Sequence, residues 1–352
     1  MRVLHADSGR VWRGGQNQVR LLARELARSP DVEQRLLTKR GSELARRAAR
    51  DGVRVREVPW TMGLDPRAAW RLVVEALEFR PDVIHAHDGH ALGLAVWARR
   101  GLAWLGAGSA PHLVATHRVV FPVRSRSALF HADLIIVISE AVRSVLVAAG
   151  VAAATIRVIP SGVDPDEVRR AAAAPCGIRA TLGLPEGTPL AVNVAALEAA
   201  KDQPALLRAA ARARTARPDL HWVIAGEGGL RRALEAQIRA LGVGDRVHLP
   251  GYVDRPEALL AEADVCVMSS RAEGLGSVVL EALALGKPVV ATRAGGLPEV
   301  VPAEWLVPVG DDDALARKVV AALDHRSAFS LPTRFTASAM AAGVLAVYKL
   351  LV

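Results

Sequence analysis

The chain alternates from end to end between short runs rich in Val, Ile and Leu and longer segments rich in Ala, Leu and Arg. Strands separated by helices predict parallel sheets that helices cover on both faces. A breaker cluster, PSGVDP at 160–165, interrupts the alternation, which then begins again. Since 352 residues exceed the usual size of one domain, we predict an α/β fold with two facing, doubly wound, Rossmann-like domains. Ligands of such sheets bind beyond the carboxyl ends of the strands, here in the interdomain cleft.

The individual elements follow from the same pattern. Strands are predicted in the first half at residues 3–6, 34–38, 53–58, 83–86, 113–116, 134–138 and 156–159. In the second half they are predicted at 190–194, 222–225, 247–249, 265–268 and 289–291. Helices between them include 16–28, 66–79, 140–149 and 203–217, and a last apolar helical stripe covers 335–351.

The charge is unevenly distributed. Residues 1–160 hold 24 Lys and Arg against 14 Asp and Glu, whereas residues 161–352 hold 21 against 22. The basic half is expected to attract phosphates, acidic glycans or anionic lipid headgroups, unless its arginines simply decorate solvated helices. Aromatic residues make up only 4% of the chain and no nucleic-acid motif is present, so we predict no nucleic-acid partner.

Two cysteines, far apart in sequence, suggest neither a disulfide framework nor a thiolate metal site. The start of the chain lacks the apolar core of a signal peptide, and the apolar stretch near the end is too short to span a bilayer. We therefore expect a cytoplasmic protein, with peripheral contact at the inner face of an anionic membrane as the alternative location.

The strongest motif, EGLGSVVLE, runs from Glu273 to Glu281, where a predicted strand meets a helix. Glycines at such a turn let backbone N–H groups approach a phosphate, and the positive end of the helix dipole favours its charge. We therefore predict phosphate binding by Gly276, Ser277 and Val278. The carboxylate of Glu281 suits paired ribose hydroxyls and that of Glu273 suits sugar hydroxyls, although for one acidic pair alone two solvated glutamates would be the better interpretation.

The spacing of Glu273 and Glu281, the Gly-Leu-Gly-Ser turn and the segment ATRAGGLPEV at 291–300 together resemble the family-four retaining glycosyltransferases of the GT-B fold. The segment VNVAAL at 192–197, with Lys201, resembles the strand and lysine that clamp the donor diphosphate. Family members commonly have an Arg near the position of Ala196. Its absence here leaves more of the phosphate charge to Lys201, Arg271 or backbone amides.

The resemblance covers nearly the full chain. The segments AGEG at 225–228 and PGYV at 250–253 resemble loops near the nucleobase, which makes Glu227 and Val253 donor-binding candidates. The segment SGVD at 161–164 resembles the interdomain hinge. The implied domains are an acceptor-binding domain at 1–160 and a nucleotide-sugar-binding domain at 161–332. A terminal helix at 333–352 is implied to pack back on the first domain.

In the first half, Arg13-Gly14-Gly15 follows the first predicted strand. A tight glycine turn there lets backbone approach a phosphate or an acceptor, so we predict Gly15 on the donor side and Arg13 on the acceptor side. A purely structural turn is the alternative. The glycine spacing is not the dinucleotide fingerprint GxGxxG, which argues against a dehydrogenase.

Two histidine motifs end strands of the first half. The segment ATHR at 115–118 places His117 at a cleft-facing strand end, and the resemblance implies that His117 contacts the transferred sugar, with Arg118 on the acceptor side. The segment HAHDGH at 85–90 puts His85 and His87 on one strand face, a spacing that zinc accepts. Because no fourth ligand is evident and the resembled family is generally metal-independent, we predict no metal. His87 is placed on the acceptor side or packed beneath it.

The resemblance implies a retaining glycosyltransferase that moves a sugar from a nucleotide-diphosphate sugar, its only co-substrate and no separate cofactor, to an acceptor hydroxyl. The catalytic residues would be His117, Lys201 and Glu273. The acceptor is expected to be an anionic or lipid-linked glycan of cell-envelope or glycan biosynthesis. The alternatives are a nucleotide-sugar epimerase or glycan phosphorylase on the same scaffold, or a non-catalytic nucleotide-sugar-binding protein.

Overall fold

The computed structural model describes residues 1–61, 65–106, 110–124, 127–325 and 329–352. The chain forms two compact units, the first made of Met1–Gly162 and Arg334–Val352, and the second of Val163–Thr333. Each unit has its own parallel sheet with a buried apolar core around it. The division gives the first unit 26 Lys and Arg against 14 Asp and Glu, a net charge of +12, and the second 19 against 22, a net charge of −3.

The sheet of the first unit has the strand order β3-β2-β1-β4-β5-β6-β7, and all neighbouring strands are parallel. Its strands are β1 (Arg2–Asp7), β2 (Glu33–Lys39), β3 (Val55–Val58), β4 (Val83–Ala86), β5 (His112–His117), β6 (Leu134–Val137) and β7 (Ile156–Val158). Its helices are α1 (Gly14–Leu26), α2 (Glu43–Arg50), α3 (Pro66–Phe79), α4 (Gly89–Trp104), α5 (Glu140–Ala148) and, from the end of the chain, α13 (Ala337–Lys349). The central strands are buried on both faces, which explains their uninterrupted apolar sequences.

The last helix belongs to the first unit because its apolar stripe is buried there. Residues of α13, among them Met340, Val344 and Tyr348, share a core cluster with α1. The segment that leaves β7 is held in place by Gln18 of α1, whose side-chain amide bonds both the N–H and the C=O of Gly162 at 2.9 and 2.8 Å. Gly162 must be glycine, since an added Cβ would lie 2.3 Å from the carbonyl oxygen of Thr336.

The sheet of the second unit repeats the winding, in the order β10-β9-β8-β11-β12-β13, again with parallel neighbours. Its strands are β8 (Leu190–Val194), β9 (His221–Ala225), β10 (Val247–Gly251), β11 (Val265–Met268), β12 (Val289–Thr292) and β13 (Leu306–Val307). Its helices are α6 (Pro165–Ala172), α7 (Ile178–Thr181), α8 (Gln203–Ala213), α9 (Arg231–Leu241), α10 (Pro256–Glu262), α11 (Ser277–Ala284) and α12 (Asp312–Leu323).

The predicted fold, two parallel doubly wound sheets with the last helix on the first unit, is confirmed. The predicted strands lie within the observed ones or differ by one or two residues at an end, and β13 was not predicted. The helix predicted at 16–28 begins two residues earlier, so Gly14 and Gly15 form its first turn instead of a preceding loop. The helix predicted at 203–217 ends at Ala213. Within the described parts of the chain, every helix is too short or too polar to cross a bilayer.

Candidate active site

In the second unit, the turn between β11 and α11 is shaped by Gly276. Its φ of +89° is a left-handed value that glycine adopts without strain, and it lies at the N-cap position of α11. Gly276 has no side chain that could cap the helix, and the first N–H groups of a helix have no partner within it. The amides of Ser277 and Val278 are therefore available to an anion, at the positive end of the helix dipole.

The side chains of Lys201 and Glu273 meet beside this turn. Lys201 is the last residue of a 3₁₀ turn after β8, and its Nζ lies 2.5 Å from Oε2 of Glu273. These side chains are 23% and 12% exposed, so the pair is largely shielded yet reachable. A Cβ added to Gly276 would lie 3.7 Å from Cγ of Glu273. The structure thus brings together the predicted lysine, the predicted glutamate and the glycine turn.

The backbone of Glu273 is fixed by a second glycine turn. Gly295 has φ +53°, and a Cβ at this position would lie 1.8 Å from the carbonyl oxygen of Glu273. That oxygen accepts a hydrogen bond from the N–H of Gly296 at 3.0 Å. The Gly-Gly pair after β12 therefore packs directly on the main chain of Glu273, which explains why residue 295 is glycine. Thr292 adds a bond from its hydroxyl to the carbonyl of Ser270, at 2.5 Å.

Glu281 lies on α11, one turn beyond the amides, and is partly buried. Burial, and to a smaller extent the charge of Glu257, raises the pKa of Glu281 to about 8. The carboxyl group therefore holds a proton at neutral pH in the ligand-free protein. A protonated carboxyl both donates and accepts a hydrogen bond, which matches a pair of ribose hydroxyls.

The loop after β8 lies against the loop after β9. Gly226 has φ +145°, and a Cβ there would lie 1.9 Å from the carbonyl oxygen of Ala195, so the two loops are in backbone contact. The N–H of Leu197 donates to the carbonyl of Glu227 at 3.0 Å. The Glu227 side chain is exposed and pairs with Arg231 at 3.1 Å. Val253 lies in the loop after β10, whose Gly251 approaches Glu227: an added Cβ would lie 2.7 Å from its Oε1.

Around Ala196, where the resembled family commonly has an Arg, the polar contacts come from elsewhere. The carbonyl of Ala196 accepts a bond from the buried side chain of Gln203 at 2.8 Å. Arg271, the other cation considered for this role, is bound by Asp202, with Nε 2.6 Å from Oδ2. Asp202 itself has a left-handed φ of 45° at the start of α8. Asp202, the sequence neighbour of Lys201, thus holds the Arg271 side chain, which is 58% exposed.

In the first unit, the carboxyl edge of the sheet gathers two aspartates. Asp7 ends β1 and is buried, and its Oδ1 accepts from the N–H of Gly9 at 2.9 Å. Asp88 follows β4, accepts from the N–H and hydroxyl of Ser8, and caps α4 through the amides of His90 and Ala91. Burial first, and the charge of Asp88 second, raises the pKa of Asp7 to about 6.

Arg118 and His117 lie at the end of β5, at the same edge. The Nη1 of Arg118 donates to the carbonyl of His87 at 2.9 Å. Burial lowers the pKa of Arg118 to about 10, although the negative charges of Asp7 and Asp88 act in the opposite direction and raise it. Burial also lowers the pKa of His117, so its imidazole is neutral at physiological pH. Its Nε2 is buried without a hydrogen-bond partner among the described residues.

His87 belongs to a buried group of three imidazoles, with His5 and His85, whose candidate ligand atoms lie within 4.8 Å of one another. The Nδ1 of His5 lies 3.0 Å from Nε2 of His87. Both nitrogens of His85 are engaged, Nδ1 with the hydroxyl of Tyr348 at 2.5 Å and Nε2 with that of Thr116 at 2.6 Å. Burial lowers the pKa of His5 to about 4 and takes those of His85 and His87 well below their usual range. The group is therefore neutral and packs beneath the edge.

Arg13 is the N-cap residue of α1 in extended conformation, and its side chain is exposed. Gly15 lies in the first turn of α1, where an added Cβ would meet nothing within 4 Å. At Gly9, by contrast, an added Cβ would lie 2.3 Å from the side-chain nitrogen of Gln16. Because the first helix begins at Gly14, Gly14 and Gly15 belong to its first turn and not to a tight turn before it.

Sequence reasoning missed Asp7, Ser8, Asp88 and Gly295. Asp7 and Asp88 both stand directly after apolar strands, and Asp88-Gly-His is followed by a helical pattern, so an N-cap signal was present. The role of Gly295 had no local signal, because the atom that forces glycine there belongs to Glu273, 22 residues earlier in the chain.

Comparison with known families divides the chain near the unit boundary. Residues 12–167 match the family described as Glycosyltransferase Family 4, and residues 177–341 match Glycosyl transferases group 1. Together the two matches cover most of the chain. The resemblance drawn from the sequence motifs is therefore confirmed.

Several curated relatives share about a third of their aligned residues with this chain. A GDP-mannose-dependent alpha-(1-6)-phosphatidylinositol monomannoside mannosyltransferase from Mycolicibacterium smegmatis is 32% identical over 82% of this chain and 79% of its own length. Sulfoquinovosyl transferase SQD2 from Arabidopsis thaliana is 31% identical over 70% of this chain, and a 2-deoxystreptamine glucosyltransferase from Streptomyces kanamyceticus is 33% identical over 56%. The chain spans about half the length of these last two, 48% and 53%.

Solved structures support the fold. The crystal structure of Anabaena Alr3699/HepE in complex with UDP and glucose has a TM-score of 0.75 and 22% identity, over 99% of this chain and 95% of that one. A glycosyltransferase from Rickettsia africae has a TM-score of 0.79 and 17% identity, over 99% and 98%. At these identities the likeness concerns the fold, which is the GT-B arrangement that the sequence motifs indicated.

Proposed function

This chain belongs to the group 1 and family 4 glycosyltransferases of the GT-B fold, and from that premise we propose that it transfers a sugar from a nucleotide-diphosphate sugar to an acceptor hydroxyl. The second unit binds the donor and the first unit binds the acceptor. Transfer proceeds with retention of anomeric configuration and without a metal ion. The observation that carries this proposal is the Lys201–Glu273 pair beside the left-handed Gly276 at the start of α11.

The chemical step needs stabilisation above all of the negative charge that develops on the leaving diphosphate. The bond from the anomeric carbon to the diphosphate breaks and its electron pair passes to the phosphate oxygens. The acceptor oxygen then bonds to that carbon, and its proton moves to the departing phosphate. Lys201 and the amides of Ser277 and Val278 stabilise the charge on the leaving group, because preorganised donors in a shielded site act where charge develops. Glu273 positions the sugar and favours positive charge at its anomeric carbon.

The short distance between Lys201 and Glu273 indicates how the lysine side chain is oriented before the donor binds. Its Nζ lies 2.5 Å from Glu273 in the ligand-free chain, so the ammonium is already oriented and partly desolvated. A diphosphate carries more negative charge than one carboxylate and competes for the lysine. Glu273 is then released to accept sugar hydroxyls. The ion pair thus holds both side chains in position until donor binding separates them.

The nucleoside end of the donor is assigned to the other residues of the second unit. Glu281 bonds the ribose hydroxyls, and the loops that contain Glu227 and Val253 contact the base. Their backbone contacts, fixed by Gly226 and Gly251, make these loops rigid before a ligand arrives. We keep Gly15, in the first turn of α1, as a donor-side residue, because its N–H is one of the helix-end amides.

The acceptor side is assigned to the polar edge of the first unit. His117 contacts the transferred sugar, and its neutral ring suits a hydroxyl better than a cation would. Arg13 and Arg118 attract an anionic acceptor. His87 is buried, so it acts through its carbonyl, which fixes the guanidinium of Arg118. His87 is therefore a positioning residue in this scheme.

A lipid-linked glycan is the acceptor class that we favour, in cell-envelope glycan biosynthesis at the inner membrane face. The support is the net charge of +12 on the first unit and the phosphatidylinositol monomannoside in the name of the mannosyltransferase relative from Mycolicibacterium smegmatis. A basic acceptor unit attracts anionic headgroups.

The test is a transfer assay with a panel of UDP-, GDP- and ADP-sugars, with and without EDTA. The product linkage is assigned by NMR coupling at the anomeric carbon. The expected result is one preferred donor, retained configuration and activity that EDTA leaves unchanged. Donor consumption without any acceptor would favour an epimerase, dependence on inorganic phosphate would favour a phosphorylase, and tight donor binding without turnover would favour a binding protein.

Two variants assign the roles. Lys201→Ala is expected to lower kcat about 100- to 1,000-fold, the usual cost of one charge-stabilising donor. Glu281→Ala is expected to weaken donor binding about 10- to 100-fold through lost ribose hydrogen bonds. Lys318→Ala, a lysine of α12 that stacks on Trp305, is the matched control and should leave both quantities unchanged. Normal kcat in Lys201→Ala, together with normal donor affinity in Glu281→Ala, would remove the assignment.

A further inference from the structure

Large aromatic side chains are exposed in one region of the first unit. Trp70 on α3 is 61% exposed, and Trp97 and Trp104 on α4 are 60% and 86% exposed. These three, of the seven tryptophans in the chain, are the strongly exposed ones. Burying a large apolar side chain gains free energy, so a concentration of exposed tryptophans indicates an interaction surface.

The exposed residues surround one helix crossing. Val73 of α3 meets Gly101 of α4, where an added Cβ would lie 3.6 Å from Cγ2 of the valine. Both helices connect parallel strands and run in the same direction. On α3, Trp70 lies three residues before the crossing and the exposed Leu77 four residues after it. These spacings place both side chains on the row that meets α4.

The same spacing occurs on the second helix. Trp97 lies four residues before Gly101 and Trp104 three residues after it, so both lie on the row of α4 that meets α3. Trp70 and Trp97 are thus each one turn before the crossing, and Leu77 and Trp104 each one turn after it. These four exposed side chains therefore border the same helix crossing, and together we call them the tryptophan surface.

The charges around the tryptophan surface have one sign. Arg67 and Arg71 on α3 and Arg100 on α4 are exposed, and no ion pair to any of them occurs within the described ranges. The exposed acid on the described parts of these helices is Glu78, whereas Glu75 is buried and paired with Arg35 at 2.6 Å. The whole unit carries a net charge of +12. The surface is therefore amphipathic and basic.

We propose that the tryptophan surface docks on an anionic lipid bilayer, with Trp70, Trp97 and Trp104 at headgroup depth and the arginines on lipid phosphates. Tryptophan is enriched at membrane interfaces because its ring is apolar and its N–H is polar. A second copy of the chain fits less well, since a two-fold contact would set these arginines against their own counterparts. An anionic bilayer supplies both the apolar layer and the opposite charge.

The purpose of this membrane contact rests on the proposed function, in which the first unit binds a lipid-linked acceptor. The helix α4 begins directly after its N-cap residue Asp88, on the candidate acceptor edge, and carries Trp97 and Trp104 further along. One rigid helix therefore links the polar edge to the membrane contact. A lipid-linked acceptor would be reached without leaving the bilayer. Docking itself needs no transferase chemistry and is measurable by itself.

The first experiment is cosedimentation of the full chain with vesicles of phosphatidylcholine alone and of phosphatidylcholine with 30% phosphatidylglycerol, as the probe composition. The wild-type chain is expected to bind the anionic vesicles, with affinity that falls as salt is raised. Trp97→Ala/Trp104→Ala is expected to weaken binding about 10-fold or more. Tyr252→Ala, which removes an aromatic that is 61% exposed in the other unit, is the control and should bind as wild type.

The second experiment tests the charge. Arg71→Glu/Arg100→Glu is expected to weaken binding to anionic vesicles about 10-fold or more. Arg232→Glu/Arg239→Glu makes the same change in net charge on exposed positions of α9 and should have a much smaller effect. Equal losses in the two double variants would mean that net charge alone drives binding, and would overturn the assigned surface.

Three further outcomes would overturn the inference: no vesicle binding by wild type, unchanged binding by the tryptophan variant, or loss of self-association without lipid as the sole effect of that variant. The last would assign the surface to a second copy of the chain. Donor binding, followed by thermal shift with UDP- and GDP-sugars, is measured on every variant. Intact donor binding with lost docking is the expected pattern. Lost donor response in the wild type would instead count against the proposed function.

Discussion

The two units share one winding order but differ in what they place at the carboxyl edge of the sheet. In the first unit the edge consists of titratable side chains, Asp7, Asp88 and Arg118, above three neutral histidines. In the second unit the edge consists of backbone, shaped by Gly276 and Gly295, with the ion pair of Lys201 and Glu273 beside it. The same winding order therefore presents titratable side chains at this edge in the first unit and backbone amides in the second.

The charge follows the same division, with +12 on the first unit and −3 on the second. Backbone amides supply a phosphate site without any net charge, so the second unit can bind an anion while remaining slightly acidic. The first unit relies on arginine for its attraction. We therefore expect the two units to respond differently to substitution of glycine and to pH.

The largest effect is expected from a substitution at the backbone-lined edge of the second unit. Gly295→Ala adds a Cβ at 1.8 Å from the carbonyl oxygen of Glu273, at a φ of +53°. Left-handed strain and overpacking together are expected to destabilise the second unit by about 3–4 kcal/mol and to displace Glu273. Hydrogen exchange of β12 measures the stability, and calorimetry with a nucleotide sugar measures donor affinity.

Gly244→Ala is the control for that substitution. Its added Cβ would make only an ordinary contact, 3.7 Å from Ile238, and its φ is outside the left-handed region. It should change stability by less than about 1 kcal/mol. Equal effects of the two substitutions would mean that the approach of Gly295 to Glu273 is not what requires glycine.

The next effect is a loss of stability of the first unit at low pH. Burial lowers the pKa of His5 from 6.5 to about 4, so the unfolded chain binds its proton more readily than the folded chain. Stability is therefore complete above pH 6.5 and falls as the pH drops towards 4, by roughly 3 kcal/mol for this group alone. His85 and His87 act in the same direction.

Hydrogen exchange between pH 7 and 4.5 measures this difference between the units. The strand β1 should lose protection before β8 does, and His5→Gln should reduce the pH slope of β1. His221→Gln, in the second unit, changes a less buried histidine and should leave the slope of β1 unchanged. Earlier opening of β8 would contradict the expectation that acid sensitivity is concentrated in the first unit.

Much of this architecture was predictable from the sequence, because most strands are specified by the residues within and directly beside them. The strands at 83–86, 190–194 and 265–268 were predicted to the residue, because apolar runs bounded by turn residues carry their own boundaries. The strand Leu306–Val307 has only two residues and no measurable period, so its pairing with β12 depends on the rest of the sheet.

The site was predictable in part, along the same division. The glycine turn at Gly276 and the lysine at 201 stand beside strands and helices that the sequence already indicated. The bond between Asp88 and Ser8 joins residues 80 positions apart, and the approach of Gly295 to Glu273 joins two loops. Such pairs depend on sheet register and loop packing, which only the assembled unit defines.

A smaller effect sharpens the comparison through Asp7. Burial raises the pKa of Asp7 from 3.8 to about 6, so the folded chain binds its proton more readily than the unfolded chain. Its contribution is present at low pH and is lost as the pH rises through 6, which makes the ionised group destabilising at pH 8. Asp7→Asn should therefore stabilise the first unit by about 2 kcal/mol more at pH 8 than at pH 4.5.

The measurement is the midpoint of chemical unfolding at the two pH values, with hydrogen exchange of β1 to locate the change. Asp65→Asn gives the opposite control, because hydrogen bonds from Thr61 lower the pKa of Asp65 to about 2 and its charged form is the favoured one. That substitution should destabilise the first unit at pH 8. A destabilising effect of Asp7→Asn at pH 8 would show that Asp7 is held ionised by Arg118.

The smallest effect tests how the last helix is joined to the histidine group. The hydroxyl of Tyr348 lies 2.5 Å from Nδ1 of His85, and both side chains are fully buried. Tyr348→Phe keeps the ring and removes this bond, which leaves a buried nitrogen without a partner and should cost about 1.5 kcal/mol. Hydrogen exchange should increase in α13 and β4 of the first unit but stay the same in β8. Thr116→Val removes the partner of the other nitrogen and should resemble it, and unchanged exchange in both variants would mean that packing alone holds the helix.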